Sequence, residues 1–97
     1  MVRQIVLFRF RDDVSEADRD SLLAELDGFP DEFPQMRNWM CGVNRSARDD
    51  RFSHAFVVDF DSDADLQAYL SSERHETFVH DRWRPIIAER AIVTLHV

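Results

Sequence analysis

Residues 2–10, Val-Arg-Gln-Ile-Val-Leu-Phe-Arg-Phe, decide the fold. The run is β-branched and aromatic, and it divides into two alternating sets, as a strand requires. One set is Val2, Gln4, Val6, Phe8 and Phe10; the other is Arg3, Ile5, Leu7 and Arg9. Successive side chains point to opposite faces of a sheet. Because both sets are apolar in the middle, this strand must be covered on both sides. Asp12-Asp13 stops it.

Downstream, Ser15 is placed as a helix N-cap, with Val14 before it and Asp18 three residues on. Leu22, Leu23, Leu26 and Phe29 follow at helical spacing, and Gly28 and Pro30 close the segment. Pro30 to Pro34 read as a short irregular or single-turn link. Residues 36–44 form a weaker second strand in which Gly42 suggests a bulge or a close backbone approach. After the polar loop 45–52, residues 53–60 (Ser-His-Ala-Phe-Val-Val-Asp-Phe) make a third strand with His54, Phe56, Val58 and Phe60 on one face. Asp61 or Ser62 caps a second helix carrying Leu66, Tyr69 and Leu70, and Ser71-Ser72 interrupts and recaps it. From about Glu73 a further helix carries Phe78, Trp83, Ile86 and Ile87, with Pro85 expected to kink it. Ala91 to Val97 supply the last strand.

The order β-α-β-β-α-β is the ferredoxin-like α+β arrangement: a four-stranded antiparallel sheet with helices on one face. The other face then carries Ile5, Leu7, Ala55 and Val57, too apolar to stand in water. A second copy of the chain is the economical cover. The expectation is a homodimer with its sheets face to face, forming an α/β barrel.

The chain has 97 residues, one domain's worth over 1–97, and 44% of them are hydrophobic, so a real core is affordable. Nineteen acids oppose twelve bases, a formal charge of −7. All twelve bases are Arg. Without Lys, Schiff-base and pyridoxal chemistry lack their amine, and a phosphate-cradling loop lacks its Lys and its glycines. The acidic balance argues against nucleic acid as a partner. No segment resembles a signal peptide or a membrane span. A single cysteine, Cys41, fits a reducing compartment, and the expected location is the cytoplasm.

Few residues remain to do chemistry. Tyr69 ends one helix, and His75 falls in the first turn of the next, across the Ser71-Ser72 break. A helix start lowers the pKa of an imidazole and keeps it neutral, able to accept a proton. A phenol beside it could hydrogen-bond a carbonyl or enolate oxygen. Spacing alone leaves this pair even with the alternative, a Tyr packed in the core and a His decorating a turn. For His54, a half-polar packing residue competes with a pocket-lining one. His75 and His80 are five apart, about 140° around a helix, which does not suit a shared metal. His96 has no partner by sequence, and Cys41 has no local base. The Asp59 to Asp65 run lacks the glycine and terminal glutamate of a calcium loop and reads as strand end plus helix cap. No metal and no cofactor is expected.

In order and spacing, the Gln4-to-Phe10 strand, the Val14-Ser-Glu-Ala helix start, Gly42-Val-Asn, Ser53-to-Phe60, and Leu66-Gln-Ala-Tyr-Leu with Glu73-Arg-His75 resemble the stress-responsive A/B barrel (Dabb) family, within the dimeric α+β barrel superfamily. The resemblance spans nearly the whole chain and implies the same fold and barrel dimer. Through a plant polyketide cyclase of that family, olivetolic acid cyclase, it implies a cofactor-free pocket in which Tyr69 and His75 are catalytic. It also implies that His54 and Gln4 line the substrate site, with Gln4 standing where the family usually has His. The implied activity is proton transfer on a polyketide-like or carbonyl small molecule, of cyclase or isomerase type. The alternatives are a non-catalytic, stress-associated binding or assembly protein and a cofactor-free monooxygenase. No Arg falls among these matched pocket positions, so the all-Arg base set reads as composition rather than mechanism.

Overall fold

A computed structural model describes residues 1–97. The strands are β1 (Val2–Phe10), β2 (Arg37–Val43), β3 (His54–Phe60) and β4 (Ile87–His96). The helices are α1 (Glu16–Asp27), the single turn α2 (Phe29–Glu32), α3 (Asp63–Leu70) and α4 (Glu73–Phe78). Without a break, α4 runs on into a π-helical turn over Val79–Trp83. The strands form one antiparallel sheet in the order β2-β3-β1-β4, and the fold is ferredoxin-like.

Exposure along β1 alternates perfectly: Val2, Gln4, Val6, Phe8 and Phe10 are buried, and the residues between them are half-buried. The buried set faces the helices. Together with Val58 and Phe60 of β3, Leu22 and Leu26 of α1, Phe29, Tyr69 and Phe78, it builds a single apolar core. Aromatic edges and faces interlock there, with Phe29 and Phe78 ring centroids 4.8 Å apart and Phe8 and Trp83 5.0 Å apart.

The helices α1, α3 and α4 each begin on a serine hydroxyl, and of the two candidates before α3 it is Ser62 rather than Asp61 that caps. Ser15 accepts from the Asp18 amide at 3.1 Å, Ser62 from Asp65 at 3.2 Å, and Ser72 from His75 at 3.1 Å. Arginines then tie the helices together. Glu25 of α1 accepts from Arg74 at 3.0 Å and from Arg82 at 2.8 Å, while Arg74 also reaches Glu32 at 2.8 Å. The rear wall of the core, α4 and its π turn, is therefore anchored on both sides of His75.

Two local expectations are corrected. Pro85 does not kink a helix. The π turn closes with the Arg84 amide donating to the Val79 carbonyl at 2.9 Å, the chain turns through Pro85, and Ile87 opens β4 four residues earlier than the sequence suggests. Ile86 and Ile87 thus leave the helical set. Gly42 makes no bulge either: a β-carbon there would meet nothing within 4 Å. The register shift lies between Arg37 and Met40, where Asn38 adopts a left-handed φ of 55°. Asn tolerates that conformation better than most residues, and its Nδ2 donates to Asp59 at 2.9 Å.

The outer face of the sheet is apolar across all four strands. The register sets Met40, Val57, Ile5 and Val93 in one row and Gly42, Ala55, Leu7 and Ala91 in the next. Met40 is 70% exposed and Val93 47%. One carboxylate is buried on this side: Asp59 has no exposed side-chain surface and accepts from Arg3 Nε at 2.7 Å and Nη2 at 3.0 Å. Arg3, ahead of its own burial cost and the Asn38 bond, holds the Asp59 carboxyl down at about 2.

Candidate functional site

Between the helix-facing side of the sheet and the wall made by α3, α4 and the π turn lies a cavity of about 160 Å³. That volume is on the scale of a cavity that holds one aromatic ring. Its walls are chiefly apolar, from Val6, Leu26, Phe56, Phe78, Val79 and Trp83. Four polar side chains enter it: Gln4, Tyr69, His75 and Arg90.

Tyr69 and His75 meet there, with ring centroids 4.6 Å apart and planes inclined by 57°. Their juxtaposition follows from the Ser71-Ser72 break. The Ser72 hydroxyl donates to the Tyr69 carbonyl at 2.8 Å and accepts from the His75 amide at 3.1 Å, so one side chain ends α3 and starts α4. Tyr69 is 3% exposed, stacked on Phe60 and edge-on to Phe33 at 4.9 Å. Burial pushes its phenol far up, so the group stays a hydrogen-bond donor at any physiological pH.

Nδ1 of His75 lies 2.9 Å from the Leu70 carbonyl oxygen. A carbonyl only accepts, so Nδ1 carries the proton, and in the neutral ring Nε2 is left with a free lone pair. The His75 pKa is lowered, as the sequence predicts, but the principal cause is burial rather than the helix start. The Leu70 carbonyl and Glu76 oppose that shift and would support an imidazolium once formed.

Gln4 is 5% exposed, and its Oε1 has no hydrogen-bond partner. A buried, unpaired amide oxygen is costly, and the Gln4 side chain that carries it is among those that line the cavity. Gln4, Tyr69 and His75 are therefore brought together. His54 is not among the walls. It stacks on Phe8 at 5.5 Å, stands edge-on to Phe10 at 5.2 Å, and shares a 2.8 Å contact between its Nδ1 and the Ser53 hydroxyl. Its pKa is lowered by burial and then by Arg19. That is the packing role rather than the pocket-lining one.

Arg90 is the residue the sequence did not disclose, and it corrects the view that no arginine bears on the pocket. It pairs with Phe8 across β1 and β4, so it stands on the helix-facing side of an edge strand. The signal is a long-range register, invisible in local spacing. Elsewhere, Cys41 is half-buried and its thiol is pushed up to about 11, chiefly by burial, which leaves it inert near neutrality. His80 lies exposed, 2.7 Å from Asp81, and His96 is exposed at the end of β4. No group of three His, Cys, Asp or Glu side chains could hold a metal ion, and no helix is long and apolar enough to cross a membrane.

Comparison with solved structures places this architecture among known ones. A Dabb family protein with a ferredoxin-like fold from Mesorhizobium loti is 18% identical, with a TM-score of 0.88 over 99% of this chain and 95% of that one. A hydroxynitrile lyase from Passiflora edulis is 24% identical, with a TM-score of 0.90 over 99% and 92% of the two chains. A dimeric ferredoxin-like protein of unknown function from Thermobifida fusca is 24% identical, with a TM-score of 0.83 over 99% and 90%. No curated protein matches the sequence. The family model for the stress responsive A/B barrel domain matches residues 2–97, and the chain belongs to that family.

Proposed function

We propose that the protein is a cofactor-independent proton-transfer catalyst of the cyclase or isomerase type, acting on a small polyketide-like or other carbonyl compound. The observation that carries this is the Tyr69–His75 pair in an apolar cavity, with the His75 Nδ1 proton engaged by the Leu70 carbonyl. Nε2 removes a proton from the carbon alpha to the carbonyl, and the bonding pair moves into the enolate. Tyr69 donates a hydrogen bond to the enolate oxygen as charge develops there. The imidazolium, steadied through Nδ1 by Leu70, returns the proton to the rearranged or ring-closed product. A hydroxynitrile lyase with this fold supports the idea that the architecture can host chemistry. The test is deuterium uptake alpha to the carbonyl in a panel of 1,3-diketones and linear polyketide thioesters. His75→Ala should cost roughly 10²–10⁴-fold and Tyr69→Phe about 10-fold or more. Undiminished exchange in either variant removes its role.

The outer sheet face favours a second reading that is compatible with the first, namely assembly. The row Met40, Val57, Ile5 and Val93 is matched by nothing within the chain. Several structural relatives are dimeric. The protein is proposed as a homodimer through these faces, with one catalytic cavity per subunit, and the lone free Cys41 suits the cytoplasm. A monomeric mass by light scattering at micromolar concentration would count against it.

A further inference from the structure

We propose that the cavity selects an organic anion: a ligand with an aromatic or otherwise flat apolar body, a carboxylate held at the mouth by Arg90, and a hydrogen-bond donor that meets Gln4 Oε1 at the inner end. The inference rests on the cavity being the binding site proposed above, and it adds the ligand's charge and polarity.

Three observations converge on it. The first is the state of Arg90. It is an exposed residue that lines the cavity, and its guanidinium has no carboxylate within ion-pairing distance, whereas six other arginines do. Half of the twelve arginines are unpaired, but Arg90 is the one among them that lines this cavity, so its charge is free to meet an anion at the mouth.

The second is what surrounds it. The groove that adjoins the mouth carries Arg11 and Arg84 beside Arg90. Its single carboxylate, Glu89, is bound by Arg9 at 3.0 Å. On the other side of the mouth, Glu76 shares a groove with Arg84, His75 and His80. The field at the entrance is thus positive on the β4 side, where Arg90 stands.

The third is Gln4. Its unpaired Oε1 is a buried acceptor awaiting a donor. Gln4 and Phe8, the register partner of Arg90, are four residues apart on β1, a span of about 13 Å. An arginine side chain shortens that distance enough for a one-ring ligand with a short acidic arm to touch both groups. Guanidinium recognises carboxylate with two parallel hydrogen bonds, so the anion is specified by geometry as well as by charge.

The probe is 3-(4-hydroxyphenyl)propanoate, compared with its neutral primary amide and with 3-phenylpropanoate, titrated into ¹⁵N-labelled protein. The Trp83 indole and Gln4 carboxamide signals report on the cavity. The acid should bind at least tenfold more tightly than the amide, and rising salt should weaken the acid alone. R90Q should erase the preference, R90K should retain part of it, and R48A, in the distant loop, should leave it intact. Loss of the phenolic hydroxyl should weaken binding several-fold in the native protein and not in Q4L. Equal binding of acid and amide, an R90Q protein with undiminished preference, or an acid that shifts neither reporter would overturn the proposal. If R90Q fails to fold, the acid–amide ratio and its salt dependence in the native protein decide. H75A separates the two proposals: it should abolish deuterium uptake while keeping the acid preference. Catalysis can therefore fail with anion selection standing, and the reverse.

Discussion

The two faces of one sheet make opposite use of the same four strands. On the helix side, alternate residues of β1 and β3 are buried in an aromatic core, and Gln4 of β1 joins Tyr69 and His75 of the helices around a cavity. On the outer side, the intervening residues form a flat apolar array with one buried carboxylate, Asp59. Polar atoms are thus placed inside where packing has no need of them, and apolar atoms outside where water would reject them. Neither placement stabilises an isolated subunit. The first points to a ligand and the second to another copy of the chain.

The comparison is broken most forcefully from within. Phe60→Ala on the helix side should cost about 3–5 kcal/mol in denaturant unfolding, because Phe60 is wholly buried. Val57→Ala on the outer side, in a subunit already made monomeric, should cost about 1 kcal/mol or less. Comparable losses at the two positions would mean that the faces are not energetically distinct. Ile5→Asp, at the centre of the outer rows, should convert a dimer into folded monomers by sedimentation while leaving the ligand-induced shifts at Trp83 in place.

Smaller effects sharpen the contrast through pH. Asp59 has its carboxyl lowered from 3.8 to about 2, so its contribution is complete above pH 4 and is lost as pH falls through 2. Asp59→Asn should cost about 1–3 kcal/mol at neutral pH, and the variant should lose less stability than the native protein between pH 4 and 2. Inside the cavity the sign differs. The His75 pKa lies below the ordinary histidine value, so the unfolded chain takes up a proton first as pH falls. Stability should decline below about pH 6.5, and the base-dependent limb of deuterium uptake should show a midpoint below that value. A midpoint at or above the ordinary value would mean that His75 is open to water.

Much of this is legible in the sequence because its causes are local. The double alternation of β1, the three serine caps and the break at Ser71-Ser72 are set by residues within a few positions of one another, and the structure keeps them all. What escaped depends on partners far along the chain. Arg90 enters the cavity through its register with Phe8. Asp59, which reads as part of an acidic strand end, is buried because Arg3 and Asn38 converge on it from β1 and β2. Asn38 rather than Gly42 distorts β2 because its amide gains that carboxylate bond, a benefit no local pattern displays.

The π turn at Val79–Trp83 carries a consequence for the phase of the helix. Phe78 and Trp83 are five residues apart, a spacing that an ideal α-helix would send to different sides, about 140° from each other. Yet both are buried and both line the cavity. The wider turn absorbs one surplus residue, and with it the angular error, so that two bulky rings share a wall. The helix ends on this wider turn, one residue out of step with its own beginning. The cavity owes its shape to that slip, because an unbroken 3.6-residue period across the segment would turn Trp83 away from Phe78.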